Sequence, residues 1–260
     1  MPSPVITLSI VSHGHGPLLT GLLEDLARHW APVPYRIVLT LNLHDEVFRV
    51  EDWPALDIKI VRNEIPQGFG ANHNAAFQYC DTPWFAVLNP DLRLPTNPFP
   101  PLLERAARMP TLGVIAPRIV DSAGHAEDSV RENLTPWSLV RRKIDASAGR
   151  IDPGAAGGKF FWLAGMFMMF PAAAYRQVRG FDERFFLYCE DYDLCARLSR
   201  AGFAVVMEPA ATSVHDAQRD SRRSRRHLQW HLTSLLKVWL SSAFWWVTFS
   251  RAPTPEGSLK

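Results

Sequence analysis

Residues 6–41 read ITLSIVSHGHGPLLTGLLEDLARHWAPVPYRIVLTL, and they indicate the fold class of the whole chain. Two short apolar runs rich in branched residues, Ile6–Ser12 and Tyr35–Leu41, flank a helical stretch at Leu18–Trp30. A third run of the same type follows at Ile58–Arg62. Because such runs alternate with helices in parallel sheets that are covered by helices, the sequence predicts an α/β fold.

The same alternation continues along the rest of the chain. Helices are expected at Phe69–Cys80 and Phe99–Met109, and strands at Trp84–Leu88, Leu112–Val120, Phe160–Phe170 and Phe203–Glu208. Between Asp121 and Lys159 the pattern weakens, which predicts a long excursion with at most a short helix near Trp137–Ile144. We therefore expect a mostly parallel central sheet, with one long connection of the kind that commonly carries function.

Composition limits the classes of protein to which the chain can belong. It has 260 residues, 47% apolar and 21% charged, which suffices for one large core or two small ones. A net charge of only +2 argues against a nucleic-acid-binding protein. The cysteines, Cys80, Cys189 and Cys195, form no C-x-x-C pair, which argues against a disulfide framework or a zinc site. No basic residue precedes the first apolar run, so a cytoplasmic location without a signal peptide is expected.

A carboxylate follows the predicted strand Trp84–Leu88, in the triplet Asn89-Pro90-Asp91. In an open α/β sheet, the carboxyl ends of the strands form the edge at which ligands bind. Carboxylates such as Asp91 hold Mg²⁺ or Mn²⁺, and such an ion neutralises the charge that develops on a departing phosphate. The alternative is that the triplet only makes a turn, which these residue types commonly do.

Two adjacent acids, Glu190 and Asp191, open a predicted helix. One interpretation is structural, because acids at a helix N-terminus interact favourably with the helix dipole, for roughly 0.3–1 kcal/mol each. The other is catalytic, because the aromatic stretch 185–188 before them can exclude water and position a substrate beside a general base. Asp193 is expected to pair with Arg197 one turn later.

Four stretches carry a resemblance to a known family. They are Val11-Ser12-His13-Gly14, Asn63 with Gly68–Asn74, Asn89-Pro90-Asp91, and Gly180-Phe181-Asp182-Glu183 through Glu190–Cys195. In this order, and with His215 after them, the chain resembles glycosyltransferase family 2, in particular the bacterial rhamnosyltransferase-like members that build O-antigen and other surface polysaccharides. The resemblance implies a GT-A fold, a Rossmann-like sheet flanked by helices, with a divalent metal, Mg²⁺ or Mn²⁺, and an inverting mechanism.

The resemblance assigns chemical roles to three acids and one histidine. Asp191 is expected to be the general base that takes the proton of the acceptor hydroxyl, with Glu190 orienting the site or the acceptor. Asp91 is expected beside the metal and the donor diphosphate. His215 is expected to make a further metal or diphosphate contact.

It also implies contacts to the donor and the acceptor. Leu41 stands where the family has an aspartate that reads the nucleobase, so the next residue, Asn42, is expected to contact the base. Trp162 and Gly165 suit an acceptor pocket, with packing inside a buried strand as the alternative. The other expected donor contacts are Ser12, Asn63, Gly68, Phe69, Asn72, Asn89 and Asp91.

The implied function is transfer of L-rhamnose from dTDP-L-rhamnose to a saccharide or to a polyprenyl-diphosphate-linked saccharide. The donor follows from the resemblance alone. A sugar nucleotidyltransferase is one alternative, but such enzymes carry a Lys- or Arg-bearing glycine-rich signature where this chain has SHGHGP at residues 12–17. A non-catalytic nucleotide-sugar-binding homologue is the other, and the presence of both Asp91 and Asp191 argues against it.

The end of the chain is basic and then rich in tryptophan. Five arginines fall within residues 219–226, directly before Leu228–Phe249, which holds four tryptophans and one charged residue. Its longest uncharged run has 12 residues, fewer than the roughly 20 that span a bilayer. We expect an amphipathic C-terminal helix that lies on an anionic membrane or packs on the catalytic domain. The predicted division is a catalytic domain at 1–218 and a C-terminal segment at 219–260.

Overall fold

The computed structural model of the protein describes residues 3–29, 31–144, 159–215 and 225–250. Its strands are β1 (Ile6–Ser12), β2 (Tyr35–Leu41), β3 (Asp57–Arg62), β4 (Trp84–Leu88), β5 (Leu92–Arg93), β6 (Leu112–Val120), β7 (Val130–Glu132), β8 (Phe161–Leu163), β9 (Phe167–Pro171) and β10 (Ala204–His215). Its helices are α1 (Gly16–His29), α2 (Phe69–Phe77), α3 (Phe99–Ala107), α4 (Pro136–Ile144), α5 (Ala172–Gln177), α6 (Glu190–Arg200), α7 (Arg225–Leu240) and α8 (Ser242–Phe249), with a 3-10 turn at Val50–Asp52.

Eight strands form one sheet in the order β3-β2-β1-β4-β9-β6-β10-β5. β9 runs antiparallel to β4 and β6, and β5 runs antiparallel to β10, whereas the other pairings are parallel. The predicted mostly parallel α/β sheet is therefore confirmed. The chain leaves β1 towards β2 and β3 and then returns to place β4 on the other side of β1. The carboxyl ends of β1 and β4 thus meet at a topological switch point, where open sheets of this type bind ligands.

Apolar side chains cover both faces of this sheet. Along β4, Phe85 and Val87 belong to one buried cluster, while Ala86 and Leu88 belong to the other. Successive residues of a strand point to opposite faces, so the uninterrupted apolar run of β4 reflects burial on both sides. Helices α1 and α3 pack on one face, and α5, α6, α7 and α8 contribute to the cluster on the other.

Three predicted elements differ from the structure. The predicted strand Phe160–Phe170 is two strands, β8 and β9, because the chain breaks at Ala164–Met166 and turns a backbone N–H of Gly165 towards Asp191. β8 then pairs with β7 in a separate two-stranded sheet. The predicted excursion between β6 and β8 contains β7 and α4, and its residues 145–158 lie outside the described part of the chain. β10 continues past Glu208, the predicted end of this strand, to His215, with a register shift against β6.

Helices α7 and α8 pack on the body of the molecule. Leu235 and Val238 of α7 and Phe244 of α8 are buried in the same cluster as the sheet. The indole Nε1 of Trp239 donates to the carbonyl oxygen of Leu134 at 2.8 Å. Within the described residues no helix is long and apolar enough to cross a membrane. The boundary predicted at residue 219 falls in 216–224, outside the described residues, as do the arginines at 219, 222 and 223.

A polar clamp joins α2 to the loop that precedes α6. The side-chain Oδ1 of Asn74 accepts hydrogen bonds from the Tyr175 hydroxyl at 2.7 Å and from the Phe181 backbone N–H at 2.9 Å. Its Nδ2 donates to the Phe181 carbonyl and to Glu183, both at 2.9 Å. Gly180, with a φ of +62°, makes this approach possible, because an added Cβ would overlap Asn74 Oδ1 and lie 2.8 Å from Tyr175.

The predicted pairing of Asp193 with Arg197 is confirmed, and it ties the same loop to α6. Arg197 Nε lies 2.6 Å from Asp193 Oδ2. The two outer guanidinium nitrogens donate to the carbonyl oxygens of Val178 and Gly180, at 2.6 and 2.7 Å. The loop is thus held from both α2 and α6, which fixes the start of α6.

Two glycines provide a matched test of the clamp. Gly180 and Gly202 both have positive φ, but an added Cβ at Gly202 meets nothing within 4 Å. Gly202→Ala is therefore expected to lower the free energy of unfolding by about 1 kcal/mol through backbone strain alone. Gly180→Ala adds steric overlap and is expected to lower it by about 2–4 kcal/mol. Urea unfolding of both variants checks this, and equal losses would contradict the proposed importance of the clamp.

Candidate active site

One cleft of about 960 Å³ opens at the carboxyl edge of the sheet, over the ends of β1, β4 and β10. Residues that were predicted from widely separated motifs line it together. These are Asn42, Phe69, Asn72, Asn89, Asp91, Gly165, Glu190, Asp191 and His215. Four predicted site residues do not line it, and these are Ser12, Asn63, Gly68 and Trp162.

Asp91 and His215 meet at one side of this cleft. Asp91 follows β4, and His215 is the last residue of β10, with its Nε2 3.2 Å from Asp91 Oδ2. Burial raises the pKa of Asp91, but the hydrogen bond and charge of His215, together with a backbone N–H and the charge of His15, hold this pKa below its ordinary value. The other carboxylate oxygen, Oδ1, is buried and has no hydrogen-bond partner among the described residues. Asp91 therefore presents an ionised carboxylate oxygen that no hydrogen-bond donor of the described residues contacts.

These two residues fit a divalent metal ion. Carboxylate and imidazole groups are both common ligands of Mn²⁺, and Mg²⁺ is usually held by one or two carboxylates together with substrate phosphates and water. The buried Oδ1 of Asp91 supplies the kind of oxygen that such an ion requires. Across the described residues no group of three or more His, Cys, Asp and Glu side chains forms a complete protein cage. A metal at this pair would thus depend on ligands from a bound diphosphate.

The second acidic pair lies at the first turn of α6. Tyr188 and Cys189, directly before it, adopt left-handed backbone conformations with φ of 72° and 65°. Each such conformation costs on the order of 1 kcal/mol for a residue with a side chain. Together they turn the chain sharply so that Glu190 and Asp191 enter the cleft as the helix begins.

Asp191 and Glu190 differ in their hydrogen bonds. Asp191 accepts from the backbone N–H groups of Gly165 at 2.9 Å and Tyr192 at 2.8 Å, which favours its ionised form. Glu190 Oε2 is buried and has no hydrogen-bond partner among the described residues. Burial raises the pKa of both acids, and the neighbouring Asp191 charge raises the pKa of Glu190 further. When the pair holds a single proton, Glu190 therefore carries it and Asp191 is ionised.

The asparagines of the donor motifs form a connected amide network. Asn42 Oδ1 accepts from Asn63 Nδ2 at 2.7 Å and from the Gln67 backbone N–H at 2.8 Å. Asn63 Nδ2 also donates to Asn72 Oδ1 at 2.6 Å, and Asn72 Nδ2 donates to the Gln67 carbonyl at 3.2 Å. Asn63 lies behind the cleft, where it fixes the side chains of Asn42 and Asn72 and the loop before α2.

Ser12 and Gly68 also lie behind the residues that line the cleft, where they shape its loops. The Ser12 hydroxyl is fully buried and donates to the Glu46 carboxylate, so it shapes the loop after β1. An added Cβ at Gly68 would lie 2.7 Å from the Phe186 carbonyl oxygen, and the Phe69 N–H donates to that oxygen at 2.9 Å. The absent side chain of Gly68 therefore allows the aromatic loop before α6 to approach the start of α2.

Trp162 does not lie in the position expected for a direct acceptor contact. Its indole is buried, packs edge-on against Tyr192 at 5.8 Å, and donates to the Glu132 carbonyl at 2.9 Å. The guanidinium of Arg131 lies 5.1 Å from its ring centre and does line the cleft. The packing interpretation fits Trp162 better, because it supports a cation of the cleft without reaching the cleft itself.

Several lining residues were not predicted from the sequence. They are Arg131, His73, His227 and Trp230. Phe186 and Tyr188 also line the cleft, and they belong to the aromatic stretch 185–188 that was expected to position a substrate. Burial lowers the pKa of His73 to about 3, so this imidazole is neutral, and its buried Nε2 has no partner within the described residues. His227 and Trp230 come from α7. In the sequence, the only feature that singles out these two residues is the basic cluster before them. That cluster predicted contact with a membrane or packing on the domain, not a place in the cleft.

Helix α7 reaches the cleft through contacts with the aromatic loop. The rings of Phe186 and Trp230 lie 4.8 Å apart, and the Tyr188 hydroxyl is 2.8 Å from His227 Nδ1. The Ser234 hydroxyl donates to the Leu187 carbonyl at 3.1 Å. The C-terminal helices therefore help to build the wall of the site.

Comparison with known proteins gives consistent matches. A family model described as "Glycosyltransferase like family 2" matches residues 4–233. The N-acetylglucosaminyl-diphospho-decaprenol L-rhamnosyltransferase of Mycobacterium tuberculosis is 34% identical in an alignment of 197 residues that covers 68% of this chain and 61% of that protein. The rhamnosyltransferase WbbL of Escherichia coli is 27% identical in an alignment of 247 residues that covers 90% of this chain and 92% of that protein.

A solved structure extends the match to the fold. The mannosyltransferase PcManGT of Pyrobaculum calidifontis, in complex with GDP-Man and Mn²⁺, superposes with a TM-score of 0.64 at 15% identity. The superposition covers 97% of this chain and 66% of that chain, and it shows a GT-A fold. The matched region spans only 61% of the mycobacterial relative. The family model covers most of the chain, and on this ground the protein belongs to the glycosyltransferase-like family 2.

Proposed function

We propose that the chain transfers a sugar from a nucleotide-diphosphate donor to a hydroxyl group of an acceptor. The observation that carries the proposal is that two different groups line one cleft: Asp91 with His215, and Glu190 with Asp191. Sugar transfer requires stabilisation of a departing diphosphate and removal of a proton from the attacking hydroxyl. The cleft volume of about 960 Å³ is sufficient for a nucleotide sugar and part of an acceptor.

We assign the leaving diphosphate to the side of Asp91 and His215. A divalent ion, Mg²⁺ or Mn²⁺, held by these residues would neutralise the negative charge that develops on the diphosphate. The buried, unpartnered Oδ1 of Asp91 supports this assignment. The Pyrobaculum mannosyltransferase, which shares the fold, is in complex with both GDP-Man and Mn²⁺, and this supports a metal in the assignment. Arg131 adds a positive charge to the cleft lining for phosphate or for the developing charge.

We assign proton removal to Asp191. Its carboxylate takes the proton of the acceptor hydroxyl while the hydroxyl oxygen forms a bond to the anomeric carbon of the donor sugar. The bond between that carbon and the diphosphate oxygen breaks, and its electron pair leaves with the diphosphate. Attack opposite the leaving group inverts the anomeric centre. Protonated Glu190 can donate a hydrogen bond that orients the acceptor, and the N–H groups on Asp191 keep the base ionised.

The names of the relatives support a narrower choice of substrates. Both the mycobacterial and the E. coli relative are named rhamnosyltransferases, so we propose dTDP-L-rhamnose as the donor. The mycobacterial name includes a diphospho-decaprenol, so we propose a polyprenyl-diphosphate-linked saccharide as the acceptor. The aromatic pair Phe186 and Trp230 offers a surface on which a sugar ring can stack. Asn42, Asn72 and Asn89 are the proposed donor contacts of the lining.

Donor cleavage provides the first test. With Mn²⁺ or Mg²⁺ present, the protein is expected to release nucleoside diphosphate from dTDP-rhamnose faster than from UDP-glucose, UDP-galactose or GDP-mannose. Asp91→Asn is expected to lower this release by roughly 10²–10³-fold, because the leaving diphosphate loses its main electrostatic support. Asp81→Asn is the matched control, since Asp81 is exposed and lies outside the cleft.

The alternatives give different outcomes in the same assay. Release of inorganic diphosphate from a nucleoside triphosphate with a sugar phosphate would support a sugar nucleotidyltransferase. No release from any donor, with an acceptor extract added, would support a non-catalytic binding protein. Equal activity of Asp91→Asn and the control would contradict the assignment of Asp91 to the leaving-group side.

The two acids of α6 provide a second test, because the proposal gives them unequal roles. Asp191→Asn is expected to lower kcat by roughly 10²–10⁴-fold, the usual contribution of a general base. Glu190→Gln is expected to retain activity within about tenfold, because glutamine resembles the protonated acid and remains a hydrogen-bond donor. Measurement of kcat and KM for each variant checks this prediction. A greater loss in Glu190→Gln than in Asp191→Asn would reverse the two roles.

The pH profile adds an independent readout. Only ionised Asp191 accepts a proton, so kcat/KM is expected to fall as the pH drops through the pKa of this group. Burial raises that pKa above the ordinary value for aspartate, which moves the acid limb of the profile to higher pH. Glu190→Gln is expected to leave the limb in place, because Glu190 is already protonated where Asp191 ionises. A limb at the position of an ordinary exposed aspartate would be inconsistent with Asp191 as the base.

A further inference from the structure

Large apolar side chains that are exposed in the described part of the chain concentrate on three neighbouring helices. On α7 they recur at every fourth residue, and on α4 and α8 they occupy the side away from the core. We call this set the apolar face. It comprises Trp137, Val140 and Ile144 of α4, Leu228, Leu232, Leu236 and Leu240 of α7, and Trp245 and Phe249 of α8.

The three helices meet at one short segment. The Asn133 side chain donates to the Thr248 hydroxyl at 2.9 Å, which ties the start of α4 to α8. Trp239 of α7 donates to the carbonyl oxygen of Leu134. The inner sides of α7 and α8 pack in the core, because Val238 and Phe244 are buried. Among the residues that the structure describes, each outer side is therefore an apolar surface without a packing partner, on a helix whose inner side is buried.

The charged residues of these three helices are all basic. Together α4, α7 and α8 contain no Asp or Glu, and they carry Arg141, Arg142, Lys143, Arg225, Arg226 and Lys237. The whole chain has a net charge of only +2, so the remainder is net negative. Arg141 and Arg142 pair with Glu132 and Asp128 behind α4, which offsets part of the charge. The excess of basic over acidic residues in the sequence of these helices is complementary to an anionic, apolar surface.

We infer that the apolar face docks on the surface of a membrane that contains anionic lipid. A helix with an exposed apolar side, basic residues in its sequence and too little length to span binds in the plane of the interface, with its apolar side chains among the acyl chains. A second copy of the chain is the competing occupant. In a symmetric dimer the same basic helices would face each other, and their like charges would oppose association.

Helix α7 has two sides with different contacts, as membrane docking of a helix that also lines the cleft requires. Its inner side places His227 and Trp230 in the cleft, and its outer side presents Leu228 and Leu232. Docking would therefore bring the cleft wall close to the lipid headgroups. A saccharide attached to a membrane lipid through a diphosphate would lie at that level. Vesicle binding itself does not depend on the proposed sugar transfer, so the two can fail separately.

Co-sedimentation of the full chain with vesicles tests the inference. The unmodified chain is expected to bind vesicles of equal parts phosphatidylcholine and phosphatidylglycerol at least ~10-fold more tightly than phosphatidylcholine alone, and more weakly in high salt. The combined change Leu228→Gln, Leu232→Gln and Leu236→Gln is expected to weaken binding by at least about 10-fold. The matched control is Val47→Gln with Ile65→Gln, two exposed apolar residues outside the apolar face, which is expected to bind as the unmodified chain.

Two further readouts keep the outcomes distinct. Thermal unfolding and donor cleavage are measured for every variant, and both are expected to be unchanged because the replaced side chains are exposed. If the triple variant unfolds, Leu240→Gln with Phe249→Gln replaces it, since both side chains are at least 80% exposed. No binding to anionic vesicles, or equal binding by variant and control, would overturn the inference. A dimer that the leucine changes abolish, without vesicle binding, would overturn it in favour of a second copy.

Discussion

The close approach of α2 to the loop before α6 is the constraint on which the site depends. Asn74 supplies four hydrogen bonds across this contact, and Gly68 and Gly180 allow backbones to come closer than any side chain would permit. Together with the burial of α6 in the core, the contact fixes the loop from which α6 begins. Because Asp91 follows β4 and Asp191 begins α6, this contact helps to set where the two acids lie within a single cleft.

The two acidic pairs then have opposite electrostatic environments. His215 and neighbouring donors together offset burial and lower the pKa of Asp91, which suits contact with a cation or with the phosphate side of a donor. Burial raises the pKa of Asp191, and two backbone N–H groups moderate that effect, which suits a base that must take up a proton. Glu190 lacks such donors and keeps the proton. One cleft thus holds carboxylates with different affinities for protons, and the neighbouring groups set the difference.

Helices α7 and α8 connect the cleft to the outside of the molecule. The inner side of α7 contacts the aromatic loop that begins α6, and its outer side belongs to the apolar face. Any partner that binds this outer side would lie one helix diameter from the cleft wall, roughly 10 Å. The same helix therefore lines the cleft and belongs to the apolar face without using the same residues for both.

The amino-acid sequence was sufficient to predict the fold class and to point to the acids that the structure brings into one cleft. The alternation of apolar runs and helices predicts the parallel sheet, because burial on both faces forces continuous apolar strands such as β4. The motifs at Asp91 and at Glu190-Asp191 are local, so their residues could be recognised without distances. Three-dimensional packing was needed for everything that depends on contacts across the chain: the break at Gly165, the placement of Trp162 behind Arg131, and the entry of Trp230 into the cleft. Local patterns carry no information on these contacts, because they are formed by residues that lie far apart in the sequence and meet only when the core is assembled.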